Sequence, residues 1–191
     1  AAWFSAKGEE KTGDFKEGLA PFLGILVLLG GLIMKQPDTG TMGVTVFIAL
    51  SIFFVAGAKW KHISSLFGLG IAAVAILIMV APYRAARLTV FLNPDHDPSG
   101  AGYQVSQALL AVGSGGFLGA GLGQSRQKFN YLPEPVTDSI FAVLSEEFGF
   151  IGTVILVALF VYLAYRGLRI AQSAPDDFGK FLVVGVIAWI T

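Results

Sequence analysis

The sequence predicts an all-α membrane protein, a polytopic bundle of transmembrane helices. Of its 191 residues, 54% are apolar and 14% are charged, whereas soluble domains carry about 25% charged residues. The mean hydropathy is +0.70. The chain also contains apolar runs of about 16 to 21 residues, near the ~20 that a helix needs to cross a hydrocarbon core of about 30 Å.

The composition also excludes some partners and sites. The formal net charge is zero, with 13 basic and 13 acidic residues, so nothing favours nucleic acid as a partner. The chain has no cysteine, which excludes a disulfide framework and a thiolate metal site.

Five apolar segments are predicted as transmembrane helices. They are residues 19–34, 42–58, 63–83, 139–165 and 181–191. The first is short for a span and needs flanking residues or thin lipid. The last is too short to cross the bilayer, and the chain starts without methionine. We therefore expect a fragment of a longer protein, truncated within its fifth span.

Lysine and arginine are distributed unevenly among the connections. Residues 5–18, predicted as a solvated loop, together with 59–62 and 166–180 carry eight of them, whereas the short loop after the first span carries only Lys35. Basic residues are enriched in cytoplasmic loops. These three connections are therefore predicted to be cytoplasmic, and residues 84–138 are predicted to form a large extracytoplasmic loop.

This long loop begins with two arginines just beyond the third span. Arg84 and Arg87 are either interfacial anchors or cations for a phosphate at the membrane surface. Further on, Asp95, His96 and Asp97 resemble a metal-binding triplet, but the prolines and glycine around them favour a surface turn.

An apolar segment with six glycines, residues 108–123, follows in the same loop. Each glycine lowers helix stability by about 1 kcal/mol relative to alanine, so a continuous helix exposed to lipid would be costly. A re-entrant or surface-lying segment packed against other helices is expected instead. The segment lacks the strand–turn–helix context of a dinucleotide fingerprint and the GK[ST] of a P-loop.

Directly after the glycines, the sequence QSRQKF brings two cations and two amides together. It contains Ser125, Arg126, Gln127 and Lys128. Arginine and lysine hold phosphate oxygens by charge-assisted hydrogen bonds. The group could therefore bind a pyrophosphate, or it could simply be solvated.

Three carboxylates near the start of the fourth span are candidates for chemistry. Asp138 is either a residue that caps the helix N-terminus or an acid or base at the outer mouth of a cavity. Glu146 and Glu147 follow eight and nine residues later, about 12 Å along a helix. Ionisable groups within a span are functional candidates, unless the span begins at Phe148 and both carboxylates lie at the interface.

The sequence YLPEPVTDSIFAVLSEEFGFIG, together with GYQVSQALLAVGSGGFLGAGLGQSRQKF, resembles the SEDS family (shape, elongation, division and sporulation). The upstream stretches YRAARLTVFLNP and KQPDTGT also match, so the resemblance covers essentially the whole chain. The stretch GLGQSRQKFNYLPE is closer to the division members of the family than to its elongation members. Ser139 stands where the family often has phenylalanine.

The resemblance implies a polytopic glycosyltransferase that polymerises peptidoglycan in the bacterial plasma membrane. Residues 1–191 would be the central part of a single SEDS membrane domain. The implied reaction joins lipid II into glycan strands by inverting transfer, with release of undecaprenyl pyrophosphate, in septal wall synthesis during cell division. The implied partners are lipid II, the growing glycan strand, a class B penicillin-binding protein that acts as transpeptidase, and other division proteins.

The resemblance also implies roles for residues. The family's essential aspartate lies in its TD(F/S)IF motif, which places it at Asp138 as the general base that deprotonates the 4-hydroxyl of GlcNAc on an incoming lipid II. Cations would meet the leaving-group charge: Arg87, Arg126, Lys128 and a divalent ion, Mg²⁺ or Mn²⁺. No organic cofactor is implied. The expected substrate-binding residues are Arg87, Tyr103, Gln104, Ser125, Arg126, Gln127, Lys128, Glu134 and Glu147.

Two other functions stay open at this point. A lipid II flippase would also need a polar cavity and cations, but it needs no general base and should expose polar groups on both sides of the membrane and at mid-depth. A non-catalytic scaffold in the division machinery is compatible with the enzyme. The role of Asp138 therefore separates the enzyme from the flippase.

Overall fold

The computed structural model describes residues 1–36, 38–80, 89–90, 100–130, 132–133 and 137–191. Throughout these residues the regular structure is helical, which confirms the all-α prediction. A short π-helical turn, Phe15–Leu19, precedes the second helix. The α-helices in chain order are α1 (Ala2–Thr12), α2 (Ala20–Met34), α3 (Thr39–Val55), α4 (Trp60–Val80), α5 (Ala101–Ser114), α6 (Gln127–Asn130), α7 (Ile140–Gln172) and α8 (Asp177–Ile190).

Contacts divide the chain into two compact units. One comprises residues 1–71 and 160–191, and the other comprises residues 72–159. The second unit contains most of the long loop and the start of α7. It therefore holds the candidate site, and the first unit is described only briefly.

The prediction of a solvated loop at residues 5–18 is wrong. Residues 2–12 form α1, which bends at Gly8, where φ is +77°. Thr12 is fully buried, and its hydroxyl donates to the Gly8 carbonyl. The alternating charges of this stretch suggested a solvated coil, but the buried Thr12 and Phe4 give α1 an inner face.

The core of the first unit is aromatic. Phe4, Phe22, Phe53 and Phe181 are all buried in it. The rings of Phe22 and Phe53 stack with centroids 4.4 Å apart, an arrangement that adds to the benefit of burying their area. This cluster joins α1, α2, α3 and α8.

Two helical segments are long and apolar enough to cross a membrane, by length and composition alone: Phe15–Met34 and Ile140–Gln172. Few of their residues are buried within the chain. The predicted spans 42–58 and 63–83 overlap α3 and α4, whose described apolar stretches are shorter than 18 residues, and residues 81–83 lie outside the described part of the chain. The predicted span 181–191 lies in α8 up to Ile190. Arg84, Arg87, Glu134 and the Asp95–Asp97 turn lie outside the described residues.

Candidate functional site

The second unit is organised around a break in α7. Gly149 interrupts this helix with φ 67° and ψ −169°, a conformation that is essentially restricted to glycine. A break of this kind releases carbonyls before it and N–H groups after it from the helical hydrogen-bond pattern. In a helix that crosses a membrane, such groups must be satisfied by protein.

The glycine-rich segment, residues 115–123, supplies those partners. Two N–H groups of this segment donate to α7 carbonyls, and two α7 N–H groups donate back to its carbonyls. The four bonds are Ala120 N to Glu146 O (2.9 Å), Gly121 N to Glu147 O (3.1 Å), Phe150 N to Gly116 O (2.8 Å) and Ile151 N to Phe117 O (3.2 Å). The predictions that residues 108–123 do not form one continuous helix and that they pack against another helix are thus confirmed, since α5 ends at Ser114. Their re-entrant or surface-lying placement stays a prediction.

Several of these glycines are required by close backbone approach. A Cβ on Gly115 would overlap the carbonyl oxygen of Ser145, and one on Gly119 would overlap the carbonyl oxygen of Glu147. A Cβ on Gly149 would overlap the backbone nitrogen of Gly119. Gly115, Gly119 and Gly149 therefore allow backbone-to-backbone packing that leaves no room for a side chain at these three positions.

The Glu146 side chain accepts two hydrogen bonds from the residues that directly follow the glycine-rich segment. Its Oε2 accepts a hydrogen bond from the Ser125 hydroxyl (2.6 Å), and its Oε1 accepts one from the Arg126 backbone N–H (3.0 Å). The Ser125 oxygen in turn accepts from the Lys128 backbone N–H (3.2 Å). Glu146 is 3% exposed and Ser125 is 1% exposed, so both are buried with their oxygens satisfied, as buried polar groups require.

Glu147 contacts the same stretch of chain. Its Oε1 lies 2.6 Å from the Lys128 ammonium, and the two side chains are 9% and 26% exposed. The Lys128 ammonium also lies 5.1 Å from the centre of the Phe129 ring. Lys128 is therefore an ion-pair partner within the described structure, whereas the sequence alone suggested it as a cation for substrate.

Two further hydrogen bonds extend from this stretch to Ser139, the residue after Asp138. The Leu132 N–H donates to the Gln127 carbonyl (2.9 Å), and the Ser139 hydroxyl donates to the Pro133 carbonyl (3.3 Å). Asp138 precedes α7 and is exposed. Its carboxylate makes no hydrogen bond or ion pair with the described residues, so no capping bond occupies it there.

The remaining predicted residues lie at the edge of this network. Arg126 is exposed, and its guanidinium has no hydrogen-bond or ion-pair partner within the described part of the chain. Tyr103 and Gln104 are half-buried on α5. Gln127 is half-buried on α6, and its Oε1 is buried without a hydrogen-bond partner in the described regions.

The described residues do not assemble a site for Mg²⁺ or Mn²⁺. These ions prefer several oxygen ligands in octahedral geometry. Among the side chains that the structure describes, no three of the His, Cys, Asp or Glu type converge. Both oxygens of Glu146 already accept hydrogen bonds from the protein.

The structure shows contacts of residues 125–128 with α7 that the sequence alone does not specify. Ser125, Arg126, Lys128 and Glu147 were expected at the site and do lie next to one another. Glu146 was considered as an ionisable group in a span but was not among the expected substrate-binding residues. Its carboxylate nevertheless makes the buried contacts with Ser125 and Arg126, and the apolar surroundings that it shares with Glu147 in the sequence do not show which of the two would make them.

Comparisons with known proteins cover the whole chain. The family described as "Cell cycle protein" (FTSW_RODA_SPOVE) matches residues 1–191. The chain is 49% identical over 189 residues to "Stage V sporulation protein E" of Bacillus subtilis strain 168, covering 99% of this chain and 52% of that protein. It is 39% identical over 194 residues to "Probable peptidoglycan glycosyltransferase FtsW" of Escherichia coli O6:H1, covering 100% of this chain and 47% of that protein.

A solved structure shows the same fold. It is described as "Structural coordination of polymerization and crosslinking by a peptidoglycan synthase complex", and its matching chain has a TM-score of 0.69 and 23% identity. The match covers 97% of this chain and 52% of the other. The chain thus spans about half the length of the relatives it matches.

Proposed function

Since the chain belongs to the FTSW_RODA_SPOVE cell cycle protein family, which is the SEDS family, we propose that the complete protein is a peptidoglycan glycosyltransferase. It joins lipid II into glycan strands at the division septum, as a multi-pass protein of the bacterial plasma membrane. The relatives named peptidoglycan glycosyltransferase support this proposal. So does Asp138, whose exposed carboxylate makes no hydrogen bond or ion pair with the described residues and which shortly precedes the helix that carries Glu146.

Asp138 is proposed as the general base. It takes the proton from the 4-hydroxyl of the GlcNAc of an incoming lipid II as that oxygen attacks C1 of the MurNAc at the end of the growing strand. The bond from C1 to the pyrophosphate oxygen breaks, and undecaprenyl pyrophosphate leaves. The α-linked donor becomes a β-linked product, so a single displacement with one base suffices. A carboxylate already committed to helix capping would be a poorer base, and Asp138 has no such bond among the described residues.

The leaving pyrophosphate gains negative charge during this step, and that charge needs cationic partners. Arg126 is the proposed cation in the described loop, because its guanidinium is exposed and can contact two phosphate oxygens at once. Arg87 is proposed for the same role from the resemblance alone. Tyr103, Gln104, Gln127 and Glu134 are proposed to line the substrate site.

The experiment uses the full-length protein, purified with a class B penicillin-binding protein as its proposed partner and given lipid II. Glycan-chain formation and lipid II binding are compared for the parent complex and Asp138→Asn. Asp177→Asn, at the exposed start of α8, serves as the matched control and should polymerise like the parent.

Loss of polymer in Asp138→Asn with lipid II binding retained would support the base. Undiminished polymer would remove Asp138 from the chemistry. If the parent formed no polymer but moved lipid II between the leaflets of liposomes, the flippase would replace the enzyme.

A further inference from the structure

We propose that Glu146 and Glu147 are positioning residues that fasten residues 125–128 onto α7, and that Lys128 completes this fastening instead of binding pyrophosphate. We call this set of contacts the clasp: Glu146 with Ser125 and Arg126, and Glu147 with Lys128. The inference deepens the proposed function and rests on it, because the clasp would hold Arg126 and Asp138 in place for the reaction.

The Glu146 half of the clasp holds the backbone of Arg126. Both carboxylate oxygens of Glu146 are engaged, one by the Ser125 hydroxyl and one by the Arg126 N–H. Glu146 is too buried to contact a substrate itself. Its effect on the reaction must therefore pass through Arg126, whose backbone it fixes and whose guanidinium stays exposed.

The Glu147 half holds the next turn of the same stretch. A lysine that served the pyrophosphate would have to leave Glu147, whose side chain is only 9% exposed. That would strand a poorly solvated carboxylate, which is costly. The ion pair therefore favours a structural role for Lys128, and it leaves Arg126 as the cation available to substrate within the described part of the stretch.

The positions of Arg126 and Asp138 both depend on contacts at the N-terminal part of α7. Arg126 is fixed by Glu146 on α7, and Asp138 directly precedes Ser139, whose hydroxyl donates to the Pro133 carbonyl. Ser139 and Glu146 are seven positions apart, or about 10 Å of helix. The proposed cation is thus linked to Glu146 and the proposed base to the residue before α7, both on the N-terminal side of the break at Gly149.

The Lys128–Glu147 pair is tested by exchanging its charges in the full-length complex. The variants are Lys128→Met, Glu147→Gln, the double variant of these two, and the swap Lys128→Glu with Glu147→Lys. Misplacing reacting groups by about 1 Å can cost on the order of 10²-fold, so each single variant should lose roughly tenfold in kcat with little change in KM for lipid II. The double variant should be no worse than either single one, because the pair acts as a unit, and the swap should recover most of the loss.

Other outcomes would overturn the assignment of Lys128. If Lys128→Met raised KM, Glu147→Gln left the reaction unchanged and the swap stayed inactive, Lys128 would be a substrate ligand. Lys35→Met, at an exposed position after α2, is the matched control and should leave both constants unchanged.

The Glu146 half is tested by hydrogen exchange, which does not require activity. Glu146→Ala should speed exchange of the Arg126 amide, while Glu146→Gln, which keeps an acceptor oxygen, should retain more of its protection and more of kcat. Unchanged Arg126 protection in Glu146→Ala would overturn the clasp. Failure of the proposed function would be seen in a different measurement. It would appear in the polymerisation assays of the parent complex and Asp138→Asn, independently of the hydrogen-exchange result for Arg126.

Discussion

Ser125 and Glu146 share a buried hydrogen bond of 2.6 Å across 21 positions of the chain. Ser125 is 1% exposed, and its oxygen also accepts from the Lys128 N–H. The hydroxyl therefore joins the carboxylate of α7 to the backbone of α6. Side-chain hydrogen bonds therefore hold residues 125–128 on α7, in addition to the backbone contacts between the glycine-rich segment and α7.

Replacing Ser125 with alanine should therefore destabilise the protein. The change removes one donor to Glu146 and leaves the Lys128 N–H without its acceptor, and such buried losses cost about 1–3 kcal/mol. Thermal unfolding of the purified full-length protein would measure the shift. Ser51→Ala is the matched control, because within the described residues the Ser51 hydroxyl bonds to its own helix alone, and the change should alter stability by less than about 0.5 kcal/mol. Equal stability of the two variants would contradict the buried network.

Gly119→Ala should be much more damaging than an ordinary glycine replacement. The new Cβ would overlap the carbonyl oxygen of Glu147, and φ at this position is +85°, which strains any residue with a Cβ. The glycine segment should then separate from the break in α7, with loss of folded protein and of polymerisation.

Gly113→Ala is the matched control for this change. Gly113 lies within α5, and a Cβ added there would have no atom within 4 Å, so alanine should be neutral or stabilise the helix by up to about 1 kcal/mol. Yield and unfolding temperature of the two variants would be compared side by side. A Gly119→Ala protein as stable as Gly113→Ala would mean that the segment does not pack on α7.

Phe53→Ala should destabilise the first unit by about 3–5 kcal/mol, the usual cost of removing a buried aromatic side chain. Phe53 is completely buried and stacks on Phe22, so the change leaves a cavity between α2 and α3. Phe47→Ala on the same helix should cost far less, because Phe47 is 57% exposed. Chemical unfolding of both variants would measure the difference, and similar values would contradict the core described here.

Hydropathy predicted five of the helices, but it predicted neither α1 nor the site. The apolar stretches correspond to α2, α3, α4, α7 and α8, because burying or embedding them requires a helix whatever its neighbours. The break at Gly149 depends on a segment about 30 residues earlier in the chain, and a single glycine in an apolar helix does not reveal such a partner. Likewise, sequence position alone could not decide which of two adjacent glutamates would be buried against Ser125.

The sequence predicted that the charged residues cluster, but it did not predict which contact each of them makes. The sequence suggested Arg126 and Lys128 together as cations for a pyrophosphate, with simple solvation as the alternative. Only the structure separates them, because Lys128 reaches Glu147 while the guanidinium of Arg126 is exposed. Two lysine or arginine side chains two residues apart point in different directions, and which of them meets a carboxylate depends on the tertiary packing.

Arg126→Lys should therefore reduce polymerisation although it keeps the charge. A lysine ammonium is a single point charge and cannot make the paired contacts that a guanidinium makes with two phosphate oxygens. Weakening one charge-assisted contact, worth about 1.5–3 kcal/mol, should lower kcat/KM roughly tenfold or more, and Arg126→Gln should lower it further. Arg169→Lys, at another exposed position on α7 outside the site, is the matched control. Full activity in Arg126→Gln would show that Arg126 does not act in the reaction. The contacts with the pyrophosphate would then have to come from cations elsewhere in the protein.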